Sequence, residues 1–161
     1  MKRIMFVCHG NICRSPMAEF IFKKMVRERG LEDRFVIASS ATSTEEIYGG
    51  RGNPVYPHAR EELALHGITC EGKRAVQLQK SDGEKYDLFV GMDSANIRNM
   101  HRILSTEHAH KIVKLMDLTA RGGDVADPWY SDRFDIAYRD IFDGCTALLK
   151  KLTNDQKKRD E

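Results

Sequence analysis

At 161 residues, with 41% hydrophobic and 31% charged side chains, the chain suits one globular domain with a core of its own, which excludes a disordered polymer and a disulfide-stapled miniature. A net charge of +2, from 26 basic against 24 acidic residues, lacks the basic excess that nucleic acid calls for, so no nucleic-acid partner is expected. The longest apolar runs, such as Ile4 to Cys8, are too short for a membrane span or a secretory leader.

Taken in chain order, Arg3–Val7 is a nearly unbroken apolar run, as strands buried on both faces show. After a loop, Ser15-Pro16 predicts a helix start, with Ser as cap and Pro at the first helical position. Ala18, Ile21, Phe22, Met25 and Val26 share one face of that helix, and Gly30 stops it. Phe35–Ala38 is the second strand, and Ser39 to Asn53 reads as a long loop. Pro57–His66 is helical, with Gly67 as its stop. Tyr86–Met92 is a third strand, Asp93 or Ser94 caps a helix to Leu104, and Ile112–Leu115 is a fourth strand. A loop from Arg121 to Ser131 precedes the longest helix, Asp132–Leu152, whose apolar stripe is continuous.

Strands alternating with helices imply α/β architecture: a parallel sheet with helices on both faces and ligands bound beyond the carboxyl ends of the strands. Residues 1–152 read as a single domain, and 153–161 as a charged tail expected to fray. The four cysteines, at 8, 13, 70 and 145, form no Cys-x-x-Cys pair or zinc-spaced cluster with histidine. Reduced thiols in a cytoplasmic location are therefore expected, with no metal and no cofactor.

The loop after the first strand reads Cys8-His9-Gly10-Asn11-Ile12-Cys13-Arg14-Ser15. A loop that aims backbone N–H groups inward at a helix N-terminus makes an anion nest. Gly10 and Asn11 accept left-handed backbone angles and let it curl. Arg14 offers a planar fork for two phosphate oxygens, and the field that holds a dianion also stabilises a thiolate on Cys8. Ser15 can donate to that sulfur. A cysteine ending a strand is more often a small core residue, and a bare Cys-x5-Arg spacing is weak. Strand, cysteine, Gly-Asn, arginine, serine, proline and helix together are specific for an oxyanion site with a nucleophile.

The segment Val7 to Glu19 resembles the signature of the low-molecular-weight protein tyrosine phosphatases, and the similarity extends to His66-Gly67-Ile68, Met92-Asp93 and Asp127-Pro128-Trp129-Tyr130. The resemblance implies a four-stranded parallel sheet of the flavodoxin-like kind, metal-free catalysis, a cysteinyl-phosphate intermediate, and tyrosine-phosphorylated proteins and phosphate-like oxyanions as partners. It makes Cys8 the nucleophile, Arg14 the phosphate clamp and Asp127 the general acid, the last of which otherwise reads as a turn residue before Pro128. It also implies that Ser39 and His66 brace Asn11 and Ser15, and that oxidation closes a reversible Cys8–Cys13 disulfide, against the plainer reading that Cys13 packs under the loop.

Trp129 and Tyr130 are either core aromatics or a wall for an aromatic ring, and the loop position favours the wall. Asp93 caps its helix or supports the cysteine loop. Between Ser39 and the next helix the chain departs from the family pattern, and Tyr48 is the candidate for the opposite wall. Glu45 and Glu46 there read more readily as a solvated loop tip than as a rim. His58, His101, His108 and His110 read as surface residues, Cys70 and Cys145 as packing.

Three rivals share parts of this pattern. Protein arginine phosphatases carry threonine where Ile12 stands. Arsenate reductases of the same fold relay a disulfide through further closely spaced cysteines, and Cys70 stands alone. A phosphoprotein binder without activity would have no use for a proton donor such as Asp127.

Overall fold

The computed structural model describes residues 1–160. Its main sheet has four strands in the order β2-β1-β5-β6, all parallel: β1 (Lys2–Cys8), β2 (Phe35–Ala41), β5 (Leu88–Gly91) and β6 (Ile112–Lys114). Strict alternation along β1 explains its two coverings. Ile4, Phe6 and Cys8 face the core under α1 (Arg14–Glu28), α2 (Pro57–Leu65) and α6 (Phe134–Asp160), where Phe22 and Ile141 are also sealed from solvent. Met5 and Val7 face the second cluster with Phe89, Leu78 and Met100, the last from α4 (Ser94–Ile103). Each fully buried aromatic or aliphatic side chain contributes about 1.5–3 kcal/mol of apolar transfer. With β2 on one side of β1 and β5 on the other, the β1–α1 loop opens where the winding reverses, the usual ligand crevice of such sheets.

Helix stops fall where expected. Leu31 N–H bonds Val26 O at 2.8 Å past Gly30, and Ile68 N–H bonds Leu63 O at 3.0 Å past Gly67, both the Schellman pattern. Four details differ from the sequence reading. Helix α1 begins at Arg14, not at Pro16, because the Ser15 side chain is drawn into the loop and caps nothing. Asp132 has φ 58°, closing the short helix α5 (Pro128–Ser131), so the long helix starts at Phe134. That helix continues through 153–160 to Asp160 instead of fraying beyond Leu152, since nothing in the Lys/Gln/Arg-rich stretch breaks it.

The fourth difference lies in the Ser39–Asn53 loop. It contains a hairpin, β3 (Ile47–Tyr48) and β4 (Arg51–Gly52), whose two-residue turn Gly49-Gly50 has φ of 57° and 78°. Positive φ at both central positions is the turn whose twist suits paired strands, and glycine adopts it without strain. One short helix, α3 (Asp82–Lys85), completes the set. Among the described residues no helix is long and apolar enough to cross a membrane.

Candidate active site

Cys8 ends β1, in register with Ala41 of β2. Its Sγ lies 3.0 Å from Ser15 Oγ and accepts from Ser15 N–H at 3.4 Å. Asn11, buried and at φ 60°, is the left-handed residue of the loop; Gly10 is not among the positive-φ positions, and its use is space, since a Cβ there would meet Glu46 Cγ at 3.2 Å. The strain of a left-handed Asn is offset by three bonds: Nδ2 donates to Ser15 Oγ at 2.8 Å and Ser39 Oγ at 2.9 Å, and Oδ1 accepts from Val76 N–H at 3.1 Å.

Proton direction along this chain follows from its far end. Ser39 Oγ lies 2.6 Å from Glu19 Oε1, and a carboxylate only accepts, so the Ser39 hydroxyl donates to it. Ser39 then accepts from Asn11 and Ser15 accepts Asn11's other proton, while the Cys8–Ser15 bond runs from the thiol to Ser15 Oγ and reverses, with the Ser15 hydroxyl donating, when the sulfur is a thiolate. Glu19 is itself buried between Lys23 and Lys73, whose Nζ lies 3.6 Å away and also donates to Ser39 O at 3.0 Å. Burial lowers the proton affinity of Lys73, with Glu19 opposing. Glu19 and Lys73 escaped the sequence reading. Replacing Asn11 by alanine removes the three bonds and leaves the strain of a left-handed residue with nothing to offset it, so urea unfolding should show a loss of about 2–4 kcal/mol. Asn11→Gly, free of the backbone strain, should recover part of it; a loss under about 1 kcal/mol in Asn11→Ala would contradict the bracing role.

Arg14 is buried, and its Nη1 donates to Asp93 Oδ2 at 2.8 Å and to Val125 O at 2.8 Å. Two of five guanidinium protons are thereby fixed, which leaves Nε and Nη2 for an anion. Burial works against its charge, yet Cys8 and then Asp93 raise its proton affinity above the ordinary arginine value. Asp93 performs both roles that were left open: Oδ1 caps α4 through Asn96 N–H at 2.8 Å while Oδ2 holds Arg14. Val125 N–H bonds Met92 O at 2.9 Å, docking the 121–127 loop at the end of β5 and bringing Asp127 Oδ2 to 3.6 Å from Arg14 Nη2. Asp127 Oδ1 caps α5, accepting from Trp129 N–H at 3.0 Å. One oxygen aims the other.

Cys8, Arg14 and Asp127 line a cleft of about 230 Å³ with His9, Gly10, Ile12, Cys13, Glu45, Glu46, Trp129 and Tyr130. Trp129 stands edge-on to Tyr56 at 5.0 Å, Tyr56 stacks on Phe134 at 5.9 Å, and Tyr56 N–H bonds Ile12 O at 2.9 Å. Tyr56 therefore ties Trp129 and the cysteine loop to the core. Burial, then the charge of Cys8, pushes the Cys13 thiol far up.

Two candidate residues lie elsewhere. His66 is the C-cap of α2; its Nε2 pairs with Glu62 at 2.9 Å and its ring stacks on Tyr138 at 3.6 Å, so Ser39 braces Asn11 without it. Tyr48 sits on the hairpin, 68% exposed and outside the cleft lining. The hairpin instead folds Glu45 and Glu46 onto the loop. Thr42 N–H bonds Cys8 O at 3.0 Å, Ser43 Oγ donates to His9 O at 2.9 Å, and Glu45 Oε2 reaches His9 Nε2 at 3.0 Å. Glu45, whose side chain stays 69% exposed, and Glu46 thus both border the cleft.

A parallel α/β sheet with a Cys-x5-Arg anion loop at its switch point, and a carboxylate from a distant loop beside the arginine, defines the class of small cysteine-loop phosphate-site proteins. The chain belongs to the low molecular weight phosphotyrosine protein phosphatase family, whose model matches residues 3–158. The low molecular weight protein-tyrosine-phosphatase YfkJ of Bacillus subtilis is 32% identical over 158 residues, covering 97% of this chain and 99% of that one. A low molecular weight phosphotyrosine protein phosphatase of Schizosaccharomyces pombe is 36% identical, covering 93% and 96%. The crystal structure of YfkJ superposes with a TM-score of 0.89 at 32% identity, over 96% of each chain.

Proposed function

We infer that this protein is a protein tyrosine phosphatase, hydrolysing phosphotyrosine and aryl phosphate monoesters in two steps through a cysteinyl phosphate. The observation that carries this reading is one cleft shared by the Cys8 sulfur, the Arg14 guanidinium and the Asp127 carboxyl. The Cys8 thiolate attacks phosphorus while Arg14 and loop N–H groups hold the remaining oxygens. Asp127 gives its proton to the departing phenolate, then takes one from the water that attacks the phosphocysteine, and inorganic phosphate leaves. Ser15 donates to the sulfur as nucleophile and as leaving group.

Selectivity must come from the walls, since the loop recognises only phosphate. Ile12, Trp129 and Tyr130 border the cleft, and apolar walls reward a flat ring of long reach. Phosphotyrosine peptides are expected to exceed phosphoserine peptides of the same sequence by at least about 10²-fold in kcat/KM. Phosphoarginine belongs in the same comparison: if it were the best of the three, the assignment to tyrosine would fall. Tyrosine-phosphorylated proteins as partners and a cytoplasmic site of action belong to this reading too, the latter supported by four unpaired cysteines. Cys13, in the same loop as Cys8, is the proposed partner for a protective disulfide under oxidation.

A further inference from the structure

We propose that Glu45 and Glu46 make the enzyme selective for phosphotyrosine flanked by a basic side chain, a statement that rests on the functional reading above. Three carboxylates, Glu45, Glu46 and Asp127, line a cleft built to receive a dianion. Two lining groups can oppose them with positive charge. Arg14 is buried at the base, held by Asp93 and Val125 O and committed to the phosphate. His9 is exposed and already engaged by Glu45 at 3.0 Å.

Glu46 meets no cation among the described residues. Its Oε2 accepts from the neutral Asn53 amide at 2.7 Å, and Asn53 N–H bonds Glu46 O at 2.8 Å, so its carboxylate is oriented without being neutralised. Nor is this rim a loose tip. Ile47 N–H bonds Thr44 O at 3.0 Å, Ser43 N–H bonds His9 O at 3.1 Å, and the hairpin turn fixes the far end.

A phosphate bound at the base leaves this acidic collar unmatched. In a cleft of about 230 Å³, residues beside the phosphotyrosine pass within the Debye length of these carboxylates, about 8 Å at physiological salt. A lysine or arginine there is attracted and a glutamate repelled, which changes encounter and register more than the chemical step. The aromatic wall of Trp129 and Tyr130 then reads the ring while the Glu45–Glu46 rim reads its neighbours.

The test uses two phosphotyrosine peptides of one sequence, with lysine or glutamate on both sides of the phosphorylated residue, and compares kcat/KM at low and physiological salt. The lysine peptide is expected to lead by at least about tenfold at low salt, and by less as salt screens the rim. In the double variant Glu45→Gln/Glu46→Gln the ratio should fall to within about twofold of unity, glutamine still being able to accept from His9 and Asn53. Because the readout is a ratio within each enzyme, a general loss of activity does not disturb it. Equal rates in the unaltered protein, or a ratio that survives the double substitution, would overturn the proposal and leave the functional reading intact. A phosphoarginine peptide that led, and lost its lead in the double variant, would overturn it by assigning the carboxylates to the substrate's own guanidinium. If neither phosphotyrosine peptide turned over while the fold remained native, the functional reading itself would fall.

Discussion

Replacing Cys8 by serine is expected to lower turnover on phosphotyrosine by more than about 10⁴-fold, with the fold and phosphate binding retained. Sulfur and hydroxyl oxygen are close in shape, and Ser15 Oγ at 3.0 Å and Ser15 N–H at 3.4 Å still offer bonds to an oxygen at that place. What disappears is an easily ionised nucleophile: a serine hydroxyl has an ordinary pKa far above that of a thiol and would have to lose its proton to attack as an alkoxide. Arg14 and the loop N–H groups are untouched, so inorganic phosphate should bind the variant with little change. Retention of even a tenth of the normal rate would rule out attack by Cys8.

Asp127→Asn carries the second large effect, a fall of about 10²–10⁴-fold on phosphotyrosine. The change is conservative in space, because an asparagine oxygen can keep the cap on Trp129 N–H that the Asp127 Oδ1 makes at 3.0 Å. It removes only the proton. A tyrosine leaving group, with an ordinary pKa of about 10, needs that proton, whereas a nitrophenol leaves as the anion, so the loss should be much smaller on a nitrophenyl ester. Equal losses on both substrates would show that the variant damages the loop and would remove Asp127 from the acid role. A near-normal rate on phosphotyrosine would have the same consequence.

Local chemistry made the centre of this site readable. Cys8 to Ser15 is one contiguous segment in which strand end, loop and helix start each leave a mark, whereas Asp127 by itself reads as a turn residue before Pro128 and became a candidate only through the family resemblance of Asp127-Pro128-Trp129-Tyr130. Gly30 and Gly67 mark helix stops because the residue past a helix end favours a backbone that glycine adopts freely. The supports were hidden because they depend on distant neighbours. Glu19 looks like an ordinary polar residue in the first turns of a helix; its burial becomes meaningful only with Ser39 from β2 and Lys73 from a connecting segment. Tyr56 acquires its role from Trp129 and Phe134, both more than seventy residues downstream.

One hidden feature did leave a signal. Tyr48-Gly49-Gly50-Arg51 has the two-glycine turn of a tight hairpin, and reading it as such would have moved Tyr48 off the cleft and placed Glu45 and Glu46 at its edge. His66 failed for another reason. Resemblance in the linear His-Gly-Ile segment carried it to the loop, while its position as C-cap of α2 turns the ring toward Glu62 and Tyr138.

The central claim, that phosphate passes through Cys8 on its way from tyrosine to water, is tested most directly by trapping the intermediate. A phosphotyrosine peptide mixed with excess enzyme and quenched in alkaline detergent within one turnover should leave a single phosphoryl group on the protein, which fragmentation of the peptide spanning Ile4 to Arg14 places on Cys8. The label should be absent in Cys8→Ser and should decay as inorganic phosphate appears. Turnover without any enzyme-bound phosphate, or a phosphoryl group found on another residue and formed at the catalytic rate, would contradict the account.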